Sequence, residues 1–387
     1  MAHRSGRHFL QIPGPTNVPE RVLRAMDRAV IDHRGPEFVA LTAEIDAGLR
    51  EVFKTGGPVI VFPASGSGGW EAALVNTLSP GDRVVVVDQG FFATGWAAVA
   101  ERHGLRVQTI AHDWRCGVDA AVLKEVLAAD AGHEVRAVLI VHNETSTGVT
   151  SDLGAVRAAL DAAGHPALLL VDAVSSLGSI DYRHDEWGVD VTITGSQKGL
   201  MLPPGLSFNA VSEKTLAAAK EARLARSYWS WEAMLAANEQ GFFPYTPATT
   251  ILYGLRESLA MLREEGLDNV FARHRRLAGA CRRAVAAWGL ETYAAEEREA
   301  SNTLTAVLMP DGHDADHLRE IILDRFDMSL GTGLGKLKGK AFRIGHLGDF
   351  NDLMLAGTLC GVEMGLAAVG VPFTPGGVHA ALQELAS

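Results

Sequence analysis

Through the first two-thirds of the chain, short blocks of aliphatic and β-branched residues recur: VIVFPA (59–64), RVVVVD (83–88), RAVLIVHN (136–143), ALLLVDA (167–173), DVTITG (190–195) and LSFNAV (206–211). Several are continuously apolar, as parallel strands are when helices cover both faces of their sheet. Between the blocks, stretches such as GGWEAALVNTL and DLGAVRAALDAAG have helical spacing, and the second closes on a C-terminal glycine. This alternation predicts an α/β fold with a large, doubly wound, mostly parallel sheet.

After about residue 260 the pattern changes. DNVFARHRRLAGACRRAVAAWGL sets Phe271, His274, Leu277, Cys281, Val285 and Trp288 along one helical face. A strand (NTLTAVLMP), a helix (DADHLREIILDRF), a short strand (AFRIG) and a final helix near 351–369, with Asn351 as its N-cap, follow. The expected organisation is an N-terminal arm (1–20), a large domain (21–260) and a smaller C-terminal α/β domain (261–387). A length of 387 residues suits two domains better than one.

Composition narrows the function. A net charge of -11 argues against nucleic acid or an anionic membrane as partner. Cys116, Cys281 and Cys360 are too widely spaced for a metal site or a disulfide framework, so no metal is expected and a reducing compartment is. With no membrane-length apolar run and no apolar signal core, the expected location is cytoplasmic.

The chemistry gathers where strands end. In open α/β sheets, ligands sit beyond the carboxyl ends of the strands. Asn143, Glu144 and Thr145, then Asp172, then Lys198 all fall at such ends. Asp172 follows four aliphatic residues, so its carboxylate is expected to be half buried. Alone it reads as a strand-end acid capping nearby backbone; paired with Lys198, it reads as chemistry. Pyridoxal phosphate needs a lysine for its Schiff base and an acid to keep its ring nitrogen protonated. It also needs a phosphate site. SGSGGWEAAL (65–74) runs from a strand through glycines into a helix, putting Ser67, Gly68 and Gly69 at a helix N-terminus. A second glycine cluster, GTGLGKLKG (331–339), fails the P-loop pattern in spacing and in the residue after Lys336, and reads as a turn. Arg343, between Phe342 and Ile344 in a strand, is poorly placed for a casual surface charge.

PGPTNVP, SGSGGWEAALVN, HNETSTGV, VDAVSSLG, GSQKGLMLPPG, PYTPAT, LYGLRESL and FRIGHLG, in that order, resemble the class V aminotransferases, closest to the serine–glyoxylate branch beside the alanine–glyoxylate enzymes. The resemblance implies the fold type I architecture of pyridoxal-phosphate enzymes. It implies that Lys198 bonds the cofactor and Asp172 pairs with the pyridine nitrogen. Val174 would pack under one ring face and Phe92 on the other, although Phe92 equally suits a core aromatic beside Phe91. Thr145 would meet the ring hydroxyl. Ser67, Gly68, Gly69 and Gln197 would hold the phosphate, joined by Thr246 from the partner subunit of a homodimer. Arg343 would clamp a substrate carboxylate. His33 and Arg34 would reach a neighbouring subunit's site, a role that a solvated turn before Pro36 rivals evenly. Phe243 departs from the family, which commonly has an aromatic with a polar handle there; Tyr245 is the nearest substitute. The segment SYWSWEAM (227–234) reads as an interface or a lid.

The implied reaction moves the amino group of a small amino acid, serine first and aspartate or alanine as alternatives, to a 2-oxo acid such as glyoxylate. A desulfurase would need a nucleophilic cysteine in a fitting motif, and none of the three has one. A nicotinamide dehydrogenase would need G-x-G-x-x-G, which GSGSGGW does not match. A silent scaffold would be expected to lose Lys198, Asp172 or Arg343, and all three are present.

Overall fold

The computed structural model describes residues 6–386. In chain order its strands begin with β1 (Phe9–Gln11), β2 (Val59–Phe62), β3 (Arg83–Asp88), β4 (Arg106–Ala111) and β5 (Val135–Val141). Next come the two-residue pair β6 (Asn143–Glu144) and β7 (Val149–Thr150), then β8 (Leu168–Asp172), β9 (Val191–Gly195) and β10 (Ser207–Val211). The last four are β11 (Glu291–Thr292), β12 (Leu304–Leu308), β13 (Met328–Thr332) and β14 (Ala341–Gly345).

Seven strands form the large sheet, in the order β2-β10-β9-β8-β5-β3-β4. From β9 to β4 every pairing is parallel, while β10 runs antiparallel to both of its neighbours. Because β10 reverses twice, β2 points the same way as β9. The carboxyl ends of β2, β3, β5, β8 and β9 therefore open on one edge of the sheet, and their loops converge there. The six expected strands are present. Sequence pattern missed β4, whose RVQTIA alternates and stays partly exposed because it is the sheet's edge.

The smaller sheet has the order β1-β13-β14-β12-β11. Its first strand comes from the chain's start: β1 pairs parallel with β13, so the expected arm is an edge strand of the C-terminal sheet. Two hydrophobic cores divide within one helix, Leu267–Ala287: the first takes Phe271 and the second begins at Leu277. Asn351 caps the helix Asp352–Ala368 as expected, accepting Met354 N–H at 3.0 Å. The glycine cluster 331–339 is the end of β13 followed by a 3-10 turn at Gly335–Leu337. Among the described residues, no helix is long and apolar enough to cross a membrane.

Candidate active site

Asp172 ends β8 and is 3% exposed, more deeply buried than its strand-end position suggested. Both its oxygens accept from fixed donors: Oδ1 from Val174 N–H at 2.7 Å and Oδ2 from Trp70 Nε1 at 2.8 Å. Burial raises its pKa to about 6, opposed by those two hydrogen bonds and by the charge of Lys198.

Lys198 follows β9 by three residues and is also buried. Its Nζ donates to Pro13 O, and the backbone around it is pinned by Thr16, whose N–H donates to Gln197 O at 3.1 Å. Gly14 has a φ of +104°, and a Cβ there would lie 2.6 Å from Nζ, so the chain's first turn packs on the amine only because it carries glycine. Burial, and next the charge of Arg343, lower the Lys198 pKa to about 7; Asp172 and Glu144 partly offset them. A large share of this amine is therefore neutral, and so nucleophilic, at neutral pH.

Arg343 lies mid-strand in β14, 7% exposed. Its Nε donates to Thr332 O at 2.7 Å and its Nη1 to Thr145 O at 2.6 Å. Those bonds tie the C-terminal sheet to the loop after β5 and fix the guanidinium plane. Its Nη2 end makes no hydrogen bond among the described residues, which leaves that end to receive an anion. Desolvation lowers its pKa to about 10, so it stays cationic at neutral pH.

The loop after β5 is densely bonded. Thr145 Oγ1 donates to Ser175 Oγ at 2.7 Å, and Ser175 Oγ donates to Asn143 O at 2.8 Å. Glu144, which sequence reading left without a role, is fully buried. It accepts from Ser146 N–H and Oγ–H at 2.9 and 2.6 Å and from Ala93 N–H at 3.2 Å. Ser146 Oγ in turn accepts Phe91 N–H at 3.0 Å. Glu144 and Ser146 thus cap the helix Phe91–Arg102, whose own N-cap, Gly90, has no side chain to do so. That cap aims Phe92, half buried, towards Trp70 at 6.4 Å between centroids.

The helix Gly66–Thr77 starts where β2 ends, and its first hydrogen bonds distinguish among the expected anion donors. Gly68 and Gly69 donate to Ser65 O at 2.9 and 3.2 Å, so their N–H groups are engaged. Gly69 also faces the sheet, where a Cβ would sit 2.6 Å from Ile193. The N–H groups without a partner are those of Gly66 and Ser67, beside the exposed Ser65, whose hydroxyl caps nothing. Strand-then-glycine identified the turn, but the helix's own first hydrogen bonds decide which amides remain free. Gln197 Oε1 is buried nearby without a partner; a Cβ at Gly195 would lie 2.8 Å from it and 3.3 Å from Gly66 N.

His33, Arg34 and Thr246 are not brought to this cluster within one chain. Arg34 bonds back to Asp32 and His33 in an exposed turn, and Thr246 is exposed. The two segments do share a face, since Phe38, just after the turn, packs edge-on to Phe243 at 5.9 Å. Tyr245 stacks on Tyr228 at 4.2 Å, yet its hydroxyl is buried with no partner. The segment 227–234 is anchored rather than free to act as a lid: Ser230 caps the helix Trp231–Asn238, and Trp231 and Met234 are buried. The cysteines lie elsewhere, Cys281 in the second core, Cys116 in a loop beside Glu299, and Cys360 exposed on the helix Asp352–Ala368.

A buried amine at neutral-range pKa, a buried acid and a half-bonded arginine converge beyond the strand ends, with unused amides beside them. The family model described as aminotransferase class-V matches residues 8–334. The chain belongs to the class V aminotransferases. It is 51% identical to serine–glyoxylate aminotransferase of Methylorubrum extorquens, over 99% of this chain and 97% of that protein. It is 47% identical to L-aspartate–glyoxylate aminotransferase of Paracoccus denitrificans, over 96% and 94% of the two chains. Among solved structures, ureidoglycine–glyoxylate aminotransferase from Bacillus subtilis superposes with a TM-score of 0.92 at 28% identity, covering 100% of both chains. Class V aminotransferase membership agrees with the two-sheet architecture.

Proposed function

We propose that this class V aminotransferase binds pyridoxal phosphate at the strand mouth and moves the amino group of serine to glyoxylate, yielding hydroxypyruvate and glycine. The observation that carries the reading is the buried Lys198 amine at the mouth of β9, close enough to the buried Asp172 and Arg343 to feel both charges. The residues present suit the cofactor. The Gly66 and Ser67 amides and the Ser65 hydroxyl would form a cradle for its phosphate, with Gln197 beside it. Val174 and Phe92 offer two apolar faces for its ring, Thr145 a hydroxyl, and Asp172 a carboxylate for its ring nitrogen.

When bound, the cofactor supplies an electron sink for negative charge developing at the substrate's Cα. The protein does the rest. Lys198 Nζ would hold the cofactor, and its free amine would take the Cα proton as general base. Asp172, held as a carboxylate by two donors, would keep the ring nitrogen protonated. Arg343 orients the α-carboxylate through its free Nη2 end, and both half-reactions use that one clamp.

The unshared features point to a homodimer. Thr246 of the partner subunit would complete the phosphate cradle, and His33 and Arg34 would approach the partner's site. Support comes from the exposed Thr246, the unpartnered Tyr245 hydroxyl and the common face joined by Phe38 and Phe243.

Aspartate is the competing donor, because one relative near half identity is an aspartate enzyme and because Arg34 offers a second cation for a second carboxylate. The test is kcat/KM for serine, alanine and aspartate at saturating glyoxylate, repeated with Arg34→Ala. Serine is expected to lead in both proteins. Aspartate leading in the parent and collapsing selectively in the variant overturns the serine assignment.

A further inference from the structure

The helix that begins at Gly66 does two things one turn apart. Its first amides are free for an anion, and its fifth residue, Trp70, reaches Asp172. The indole is 6% exposed, stacks on Trp96 with centroids 5.9 Å apart at 16°, and meets the edge of Phe92. Its orientation is therefore fixed from two sides. Indole N–H is a donor only, as is the Val174 amide on the other oxygen, so both contacts favour the unprotonated carboxylate. No cation hydrogen-bonds Asp172 among the described residues. The charged and titratable groups facing it are Lys198, Glu144 and Tyr182, which interact with it only through space. A cation bonded here would neutralise Asp172 and leave a protonated ring nitrogen without its counter-charge. A neutral donor holds the charge without cancelling it.

We infer that Trp70 is a positioning residue that keeps Asp172 charged and aimed, so that the shared proton rests on the cofactor's ring nitrogen and not on the carboxylate. This rests on the cofactor reading above. The same helix would then gauge the cofactor's length, holding phosphate at its first turn and the ring-nitrogen partner one turn later.

The test removes the N–H and keeps the shape. Benzothienylalanine at position 70 replaces N–H by sulfur in an isosteric ring, and Trp70→Phe serves as a second variant. Holoenzyme is reconstituted with pyridoxal phosphate labelled with 15N in the ring, and the nitrogen resonance and steady-state kinetics are recorded. In both variants the resonance is expected to move towards the unprotonated position, with kcat falling about tenfold or more and KM changing little. If the cofactor binds and the resonance stays at its parent position, Trp70 only fills space and the inference fails. If the parent protein captures no cofactor, the proposed function fails instead. The two failures cannot be confused.

Discussion

The two ends of the candidate cofactor site are built differently. At the ring end, Asp172 has both oxygens bonded, Thr145 is held through Ser175, and Arg343 is fixed at two nitrogens. At the phosphate end, the Gly66 and Ser67 amides, Gln197 Oε1 and the Tyr245 hydroxyl have no hydrogen-bond partner among the described residues, and Thr246 lies exposed. Buried polar groups without partners cost free energy; under the function proposed above, an anion and a second copy of the chain would both act at this end. The ring end owes its order to groups within one chain, and variants there should fail at any protein concentration. The phosphate end should respond to assembly.

Lys198→Ala is expected to have the largest effect. No other lysine occupies a strand mouth, so transamination should vanish, while cofactor retention through the phosphate end should persist more weakly. Spectra and activity of the purified variant check this. Substantial turnover would end the cofactor assignment.

Asp172→Asn comes next. A neutral amide cannot keep the ring nitrogen protonated, so single-turnover proton removal at Cα should slow by orders of magnitude, with the loss falling on kcat. Near-parent single-turnover rates would reduce Asp172 to a structural acid. Arg343→Leu should then weaken donor and acceptor alike, by ~2–5 kcal/mol for loss of a desolvated charge pair. Unchanged KM for both substrates would place the carboxylate clamp elsewhere.

Titration gives a smaller effect. The Lys198 amine titrates near 10.5 when unfolded and near 7 when buried. Between those values the unfolded chain binds more protons, so stability of the cofactor-free protein should rise with pH across that window. Denaturation midpoints of the parent and of Lys198→Met, measured from pH 7 to 10, test it. A rise of the same size in the variant would assign the effect to other groups.

The residues legible in sequence are those whose position in the fold forces their burial. Asp172, Lys198 and Arg343 each sit beside or inside an apolar strand; Asp172 alone reads as a backbone cap, and its pairing with Lys198 is what sets it apart. Glu144 and Trp70 were not legible as site residues. Each acts through a contact across the sheet, to Ala93 and to Asp172, that no local spacing encodes. The free amides were only partly legible: Ser67 is among them, but Gly68 and Gly69 look free until the helix's first bonds to Ser65 O are drawn. Strand β1 escaped for a similar reason: its partner lies more than 300 residues downstream.

The smallest effect expected is at Thr246, and it divides the two ends most sharply. Thr246→Val removes one hydroxyl from an exposed position, so within a single chain it should do nothing to cofactor binding. If a partner's Thr246 completes the phosphate cradle, affinity for pyridoxal phosphate should fall about tenfold, the scale of one hydrogen bond to a charged group. Mixing then separates the cases. In a heterodimer of Lys198→Ala with Thr246→Val, one site keeps its own Lys198 and borrows an intact Thr246 from its neighbour, so that site should regain parent affinity. Its companion site is silent. Refolding the two variants together and titrating cofactor should reveal parent-like sites in about the proportion of mixed dimers. Affinity that stays at the Thr246→Val value after mixing would mean that each chain supplies its own Thr246, and ultracentrifugation showing a fully active monomer would remove the shared site altogether.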